Sequence, residues 1–342
     1  MATLETFAAT RFLLFTELQA DLKQRGTPSE NISRLLDCLR ATTEGGKLNR
    51  GLTVVRTGYN LLHEHPTPQE QEHLNILGWL VELFQAAYLI WDDIMDGSEY
   101  RRGRPCWYKR EDVGLTAVND AAMLKSCIFV LLRRHFRNHP EYVAFMELFH
   151  EAGFRTELGQ LCDTATAAGG NIEDMTAGRY DFIARNKTSF YSFYLPVALA
   201  MHYCRVTCEE VLEKVKFVLL DIGVYFQIQD DFLDVFGDPG ITGKVGTDIQ
   251  DNKCTWVVVQ ALQLSDAQQR QALSESYGKM DMHHERRVKA IFRELGMDAV
   301  FSDFEQRRLD ELQSQIDAFD ESHGFKRDVF NTILGSIRRR NK

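Results

Sequence analysis

Two five-residue stretches concentrate the chemistry that this sequence can perform: Asp92-Asp93-Ile94-Met95-Asp96 and Asp230-Asp231-Phe232-Leu233-Asp234, which share the pattern DDxxD. On a helix, successive residues turn by about 100°, so the first and fifth positions fall within about 40° of one face. A solvated acidic face is the plain alternative. The flanks oppose it: AAYLIW precedes the first cluster, GVYFQIQ precedes the second and Val235-Phe236 follows it, so both sit on otherwise apolar helices. Carboxylates without partners in such surroundings would be protonated or would destabilise the fold. A hard divalent cation supplies the partner, and Mg²⁺ suits a few carboxylates combined with waters and phosphate oxygens.

Basic residues recur close to these motifs. Arg101-Arg102-Gly103-Arg104-Pro105 follows the first, with Gly and Pro keeping it out of regular helix. Arginine grips phosphate through a planar fork, so two adjacent arginines beside a metal site suit two different diphosphates. Lys47, Asn49 and Arg50 lie in the glycine-flanked run GGKLNRG, where backbone can approach an anion closely. Lys187-Thr188, Lys244 and Lys253 add further cations. Each lysine alone reads more readily as surface charge. Together they explain how a chain of formal charge −9 holds anions, and the same charge argues against nucleic acid as a partner.

The elements that must position these groups read as helices. Thr27-Pro28-Ser29-Glu30 and Thr67-Pro68-Gln69-Glu70 each place a capping threonine, a first-turn proline and an acid at the third helical position. After the second, Leu74, Leu77, Leu80, Phe84, Ala87 and Trp91 recur at three- and four-residue intervals, which predicts a buried central helix. The same period covers 119–136, 141–165, 209–236, 284–295, 301–320 and 325–340. Pro196, inside SFYLPVALAM, predicts a kink in a buried helix. The glycines at 169–170 and the turn Gly237-Asp238-Pro239-Gly240 read as connections.

The class is all-α, and without a linker or repeat the 342 residues read as one domain, 1–342. No stretch has the uninterrupted apolar length of a membrane span, and the first residues lack a secretory pattern. The seven cysteines form no CxxC pair and fit reduced thiols, so the expected location is the cytoplasm.

The motifs GGKLNRG, FQAAYLIWDDIMD, YRRGRPCWYK, NKTSFYSFYLP, YFQIQDDFLDVFG and TGKVGTDIQDNKC, in this order, resemble the farnesyl diphosphate synthase family of eukaryotic type. TELGQL, LPVALAM and GFKRDVF are most similar to fungal members. The resemblance implies a helical isoprenoid synthase bundle around a central cavity, a homodimer, and three Mg²⁺ ions gripping the allylic diphosphate. It assigns Asp92, Asp96 and Asp230 as principal metal ligands, with Asp93, Asp231 and Asp234 in support. Arg101, Lys187, Gln227, Lys244 and Lys253 would hold the allylic diphosphate, and Gly46, Lys47, Arg50, Gln85 and Arg102 the isopentenyl diphosphate. The Lys187 carbonyl, Thr188 and Tyr191 would face the allylic cation, and the basic end from Arg338 to Lys342 would close as a lid.

The family pattern is broken where product length is set. Members commonly carry two aromatics at the fifth and fourth positions before the first aspartate and a small residue directly before it. Here those places hold Ala87, Tyr88 and Trp91. Helical side chains lean toward the N-terminus, so the Trp91 indole is expected to lie over Ala87 and to shorten the space for the growing tail. Geranyl diphosphate is then the expected main product and farnesyl diphosphate the alternative. More distant readings are a class I terpene cyclase, which needs no isopentenyl site, and a silent regulatory subunit, which would have lost charged positions.

Overall fold

Helix α4, Pro68–Met95, shows why this chain folds as it does. The Thr67 hydroxyl accepts the Glu70 N–H at 3.2 Å while the Glu70 carboxylate accepts the Thr67 N–H at 2.8 Å, closing the expected capping box around Pro68. The apolar stripe beyond is core: Leu74, Leu77, Trp79, Leu80, Phe84 and Ala87 are buried. An 18-residue window of α4 has mean hydropathy 1.4, enough for a membrane span by composition, yet 83% of that window is buried inside the protein.

The structure, a computed structural model, describes residues 4–62, 65–238 and 246–338. Lys244, Pro239-Gly240 and the stretch from Arg339 to Lys342, all given roles above, lie outside the described residues. Besides α4, the chain forms, in order, α1 (Leu4–Gln24), α2 (Ser29–Thr43), α3 (Asn49–Leu61), α5 (Ala117–Phe136), α6 (Tyr142–Gly169), α7 (Ala177–Ile183), a π-helical run Ala184–Tyr194, α8 (Leu195–Tyr203) and α9 (Glu209–Phe236). They are followed by α10 (Trp256–Leu264), α11 (Ala267–Ser276), α12 (Met282–Glu294), α13 (Met297–Asp317) and α14 (Arg327–Arg338). Among the described residues the only strands are β1 (Tyr100–Arg101) and β2 (Arg104–Pro105), an antiparallel hairpin.

Two compact units are distinguished, each assembled from separated stretches. The first takes the chain up to Glu151 with Leu195–Glu213 and Asp320–Ile333; the second takes Ala152–Tyr194, Lys214–Phe319 and the stretch from Leu334. In the first unit α3 and α4 approach so closely that a Cβ on Gly78 would meet the Gly51 carbonyl oxygen at 2.6 Å. Phe7 of α1 closes this crossing, stacked on Trp79 at 5.0 Å and accepting the indole N–H through its carbonyl at 2.6 Å. Arg34 of α2 and the Trp107 indole both bond Asp120 of α5 at 2.8 Å, which fixes the turn after the hairpin. The second unit has its own aromatic core, with Phe232 stacked on Phe301 at 4.0 Å and Trp256 edge-on to Phe301 at 5.8 Å.

One local expectation is corrected, and the disturbance expected at Pro196 takes a definite form. Thr27 does not cap α2: Pro28 is the N-cap residue, no side chain caps it, and the Ser29 hydroxyl turns to Glu30. Pro196 marks a change of winding, with the π-helical run before it and α8 beginning at Leu195. Its missing N–H and ring clash discourage ordinary α-turns just before it.

The Gly51–Gly78 crossing leaves no room for a methyl group between backbones. Gly78→Ala should destabilise the fold by about 1–3 kcal/mol, the usual cost of overpacking, and lower the urea midpoint while helicity in dilute buffer is kept. An unchanged midpoint would contradict the tight crossing.

Candidate active site

Both acidic motifs lie in the last turns of helices 28 residues long, α4 and α9. In the first unit Asp96 is the C-cap residue of α4, its N–H donating to the Asp92 carbonyl at 2.9 Å. Asp93 is turned inward, 4% exposed, and takes the Arg101 guanidinium at 2.7 Å from Nε and 2.6 Å from its terminal nitrogen. Asp92 receives the same guanidinium at 3.4 Å. Burial pushes the Asp93 carboxyl up from its usual range, and Arg101 opposes that shift.

The hairpin decides where the two arginines go. Arg102 and Gly103 have φ of 54° and 73°, the positive values that a two-residue hairpin turn requires at both central positions. Arg101 then reaches the acidic helix end, while Arg102 donates to the Thr42 and Glu44 carbonyls, each at 3.2 Å, where α2 ends. Its guanidinium lies against Gly46, where a Cβ would meet the central carbon at 2.9 Å. The run with Lys47 and Arg50 leads into α3 through Leu48 at φ 53°. Thus Gly46 and Arg102 are brought together, and Gln85 is half-buried on α4.

The aromatic row on α4 has partners beyond its own helix. The Trp91 indole meets Tyr88 edge-on at 5.2 Å, and its N–H donates to the Val118 carbonyl of α5 at 3.3 Å. Lys125 sits over both rings, at 5.5 Å from Tyr88 and 5.8 Å from Trp91. The neighbouring helix supplies the bonding partner, which a single-helix argument misses.

In the second unit the second aspartate of the motif is again the buried one. Asp231 accepts the Trp256 backbone N–H at 2.9 Å and the Gln227 amide at 2.8 Å. Burial drives its carboxyl well above the ordinary range, and these two donors pull against that. Gln227, expected on a substrate phosphate, is therefore held against Asp231. Asp234 accepts the Asp248 N–H at 3.1 Å, and Gly246 passes so near that a Cβ there would lie 1.8 Å from the Asp234 carbonyl oxygen.

Lys187, Thr188 and Tyr191 lie on the π-helical run, which is clamped at two glycines. A Cβ on Gly159 of α6 would meet the Lys187 backbone nitrogen at 2.3 Å, and one on Gly223 of α9 would meet Ser189 at 2.5 Å. Lys187 and Lys253 then converge on Asp163 of α6, at 2.7 and 2.9 Å. Sequence reasoning missed Asp163. The available signal was its place one turn after Gly159, on the helix face that admits Lys187. Burial alone would raise the Asp163 carboxyl, but the two ammonium groups outweigh it and hold it below the usual range.

Among the described residues no three His, Cys, Asp or Glu side chains form a metal-binding group by themselves. Mg²⁺ takes one or two carboxylates and completes its shell with waters and substrate phosphates, so the donor chemistry to test is that of the paired acids at the helix ends. The position of the acids favours such an ion: a helix C-terminus already carries the negative end of the dipole, so carboxylates there call for a cation. Asp92 and Asp96 on one helix end, and Asp230 with Asp234 on the other, are donors of the required kind.

The polyprenyl synthetase family matches residues 32–295. The farnesyl pyrophosphate synthase of Saccharomyces cerevisiae is 46% identical over an alignment of 353 residues covering 100% of both chains. That of Gallus gallus is 42% identical over 96% of this chain and 91% of its own. Among solved structures, Trypanosoma brucei farnesyl diphosphate synthase complexed with the bisphosphonate BPH-722 superposes with a TM-score of 0.92 at 27% identity, covering 99% of each chain.

Asp163→Asn should cost about 3 kcal/mol at neutral pH, the order expected when one partner of a buried ion pair is removed. A depressed carboxyl stabilises the fold fully above its unfolded value, about 3.9, and loses that contribution as pH falls through the lower folded value. The melting difference between wild type and Asp163→Asn should hold from pH 7 to about 5 and shrink below about pH 4. A difference that grows on acidification would contradict the assignment.

Proposed function

The chain belongs to the polyprenyl synthetase family, and on that premise we propose that this prenyltransferase makes farnesyl diphosphate, joining dimethylallyl and then geranyl diphosphate to isopentenyl diphosphate. The observation that carries the choice of product is the likeness to farnesyl pyrophosphate synthases along 96–100% of this chain. The Trp91 indole, bonded through its N–H to the Val118 carbonyl and packed against Tyr88, has partners that suit a packing role. The names of the relatives, farnesyl pyrophosphate synthases at 46% and 42% identity, support the longer product over the geranyl reading. They also leave no support for a terpene cyclase or a silent subunit.

Mg²⁺ would be held by Asp92 and Asp96 at one helix end and by Asp230 at the other, and when bound it supplies Lewis-acid charge to the leaving diphosphate. The rest falls to side chains. Arg101, Lys187 and Lys253 hold the allylic diphosphate, and its carbon–oxygen bond breaks with the electron pair leaving on pyrophosphate. Lys47, Arg50 and Arg102 hold isopentenyl diphosphate, whose double bond attacks the allylic cation. Loss of a proton to pyrophosphate restores the double bond. The Lys187 carbonyl, Thr188 and Tyr191 face the cation, and exclusion of water protects it.

A homodimer is part of the proposal. A window of Gly114–Phe136 has mean hydropathy 1.6 but is only 44% buried within the chain, and Leu115 and Val118 at its start are exposed. A second copy of the same apolar face would cover it. The free thiols support a reducing compartment, the cytoplasm.

Purified protein incubated with Mg²⁺, dimethylallyl diphosphate and isopentenyl diphosphate should give mainly the fifteen-carbon product, and geranyl diphosphate as the principal product would overturn the reading. Trp91→Ala should leave chain length unchanged, whereas a shift to longer chains would restore the constriction. Asp92→Ala and Asp230→Ala should each lower turnover by about a hundredfold or more with the helical circular dichroism intact. Retention of more than about a tenth of the rate would remove either residue from the metal site.

A further inference from the structure

Helix α3 begins without any cap of its own. Its N-cap residue is Leu48, in the left-handed region, with no side-chain acceptor, and its first turn contains no acid. An uncapped N-terminus leaves several backbone N–H groups unsatisfied. The missing acceptor comes from another helix. Glu82 of α4, 6% exposed, accepts the Gly51 N–H at 2.8 Å in buried surroundings, and the Arg50 N–H also bonds it. Gly51 makes this approach possible, since a Cβ there would meet the Glu82 side chain at 3.0 Å and the Gly78 carbonyl oxygen at 2.8 Å.

The charges around Glu82 give the cap a second use. Burial raises the Glu82 carboxyl above its usual range, and the Gly51 N–H, Arg50 and Arg102 oppose that shift without cancelling it. The two arginines are among the cations assigned above to isopentenyl diphosphate, beside Lys47 at the same helix start. A helix N-terminus flanked by cations binds phosphate readily, but it does so selectively only where its backbone is held in one register.

We infer that Glu82 is a positioning residue for the isopentenyl subsite: it caps α3 from α4 and holds Arg50, Arg102 and the GGKLNRG run in the geometry that receives the diphosphate. It does not touch substrate. The inference rests on the assignment of that run to isopentenyl diphosphate, and it points to that substrate because Gly51, Arg50 and Arg102, the partners that act on Glu82, belong to that run and its hairpin.

The test compares Glu82→Ala, Glu82→Gln and Arg102→Ala in the full chain. Glu82→Gln keeps an acceptor for the Gly51 N–H, and Glu82→Asp, one methylene short, takes the place of the alanine variant if that does not fold. Hydrogen exchange at the Arg50 and Gly51 amides reads the cap without substrate: it should rise in Glu82→Ala and stay near wild type in Glu82→Gln. Steady-state kinetics should then show the KM for isopentenyl diphosphate raised about tenfold in Glu82→Ala, as misplaced binding groups do, and restored to within about threefold by Glu82→Gln, with the allylic KM and kcat little changed. Unchanged exchange in Glu82→Ala overturns the cap. Raised exchange with equal effects on both substrates overturns the positioning role when Arg102→Ala is biased toward isopentenyl diphosphate. An unbiased Arg102→Ala overturns the subsite assignment, and the inference with it.

Discussion

The ends of α4 and α9 carry negative charge where a helix can least tolerate it. At a helix N-terminus an acidic side chain is stabilised by the dipole, and both helices use this, with Glu70 in the first turn of one and Glu209 and Glu210 in the first turn of the other. At the C-terminus the sign reverses, and each exposed carboxylate costs about 0.3–1 kcal/mol before repulsion by its neighbours is counted. The two DDxxD motifs accept that cost, in the last turns of helices whose bodies are packed core. Arg101, paired with Asp92 and Asp93, answers this constraint at the end of α4.

The two motifs resolve it in parallel ways. In each, the middle aspartate of the cluster is drawn inside and made a structural anchor. Asp93 takes Arg101 and so ties the hairpin to α4. Asp231 takes the Trp256 N–H and so ties the start of α10 to α9. The first and fifth aspartates of each motif stay at the helix end, Asp92 beside Arg101 and Asp234 accepting the Asp248 N–H. Asp163 plays a related part in the second unit, where a single buried carboxylate sets the spacing of two lysines.

Much of this was legible in the sequence, because helical period and motif spacing are local. The limits of 209–236 coincide with α9 and those of 119–136 nearly with α5, since one apolar stripe defines each. The Thr67 box was legible because both of its partners lie within four residues. The same pattern at Thr27 misled, as a capping motif is a preference that the preceding chain can override. What the sequence could not show were bonds made across helices. Trp91 meets Val118, Asp163 gathers Lys187 and Lys253, and Glu82 reaches Gly51, each through partners far apart in the chain. The π-helical winding of 184–194 was equally hidden, because Pro196 announces a disturbance without saying what form it takes.

That winding has a consequence for how this protein can change over evolutionary time. Each widened turn holds roughly one residue more than an α-turn, so the run from Ala184 to Tyr194 stores chain length that an ordinary helix would have spent on axial advance. A one-residue deletion there can be absorbed by rewinding to α, without displacing α7 or α8, whereas the same deletion in α4 would rotate every later side chain by about 100°. The glycines at 159 and 223 limit that freedom, since they fit the backbone of Lys187 and the side chain of Ser189 as they now stand. Length variation among descendants of this chain should therefore be tolerated by the helix and policed by its two neighbours.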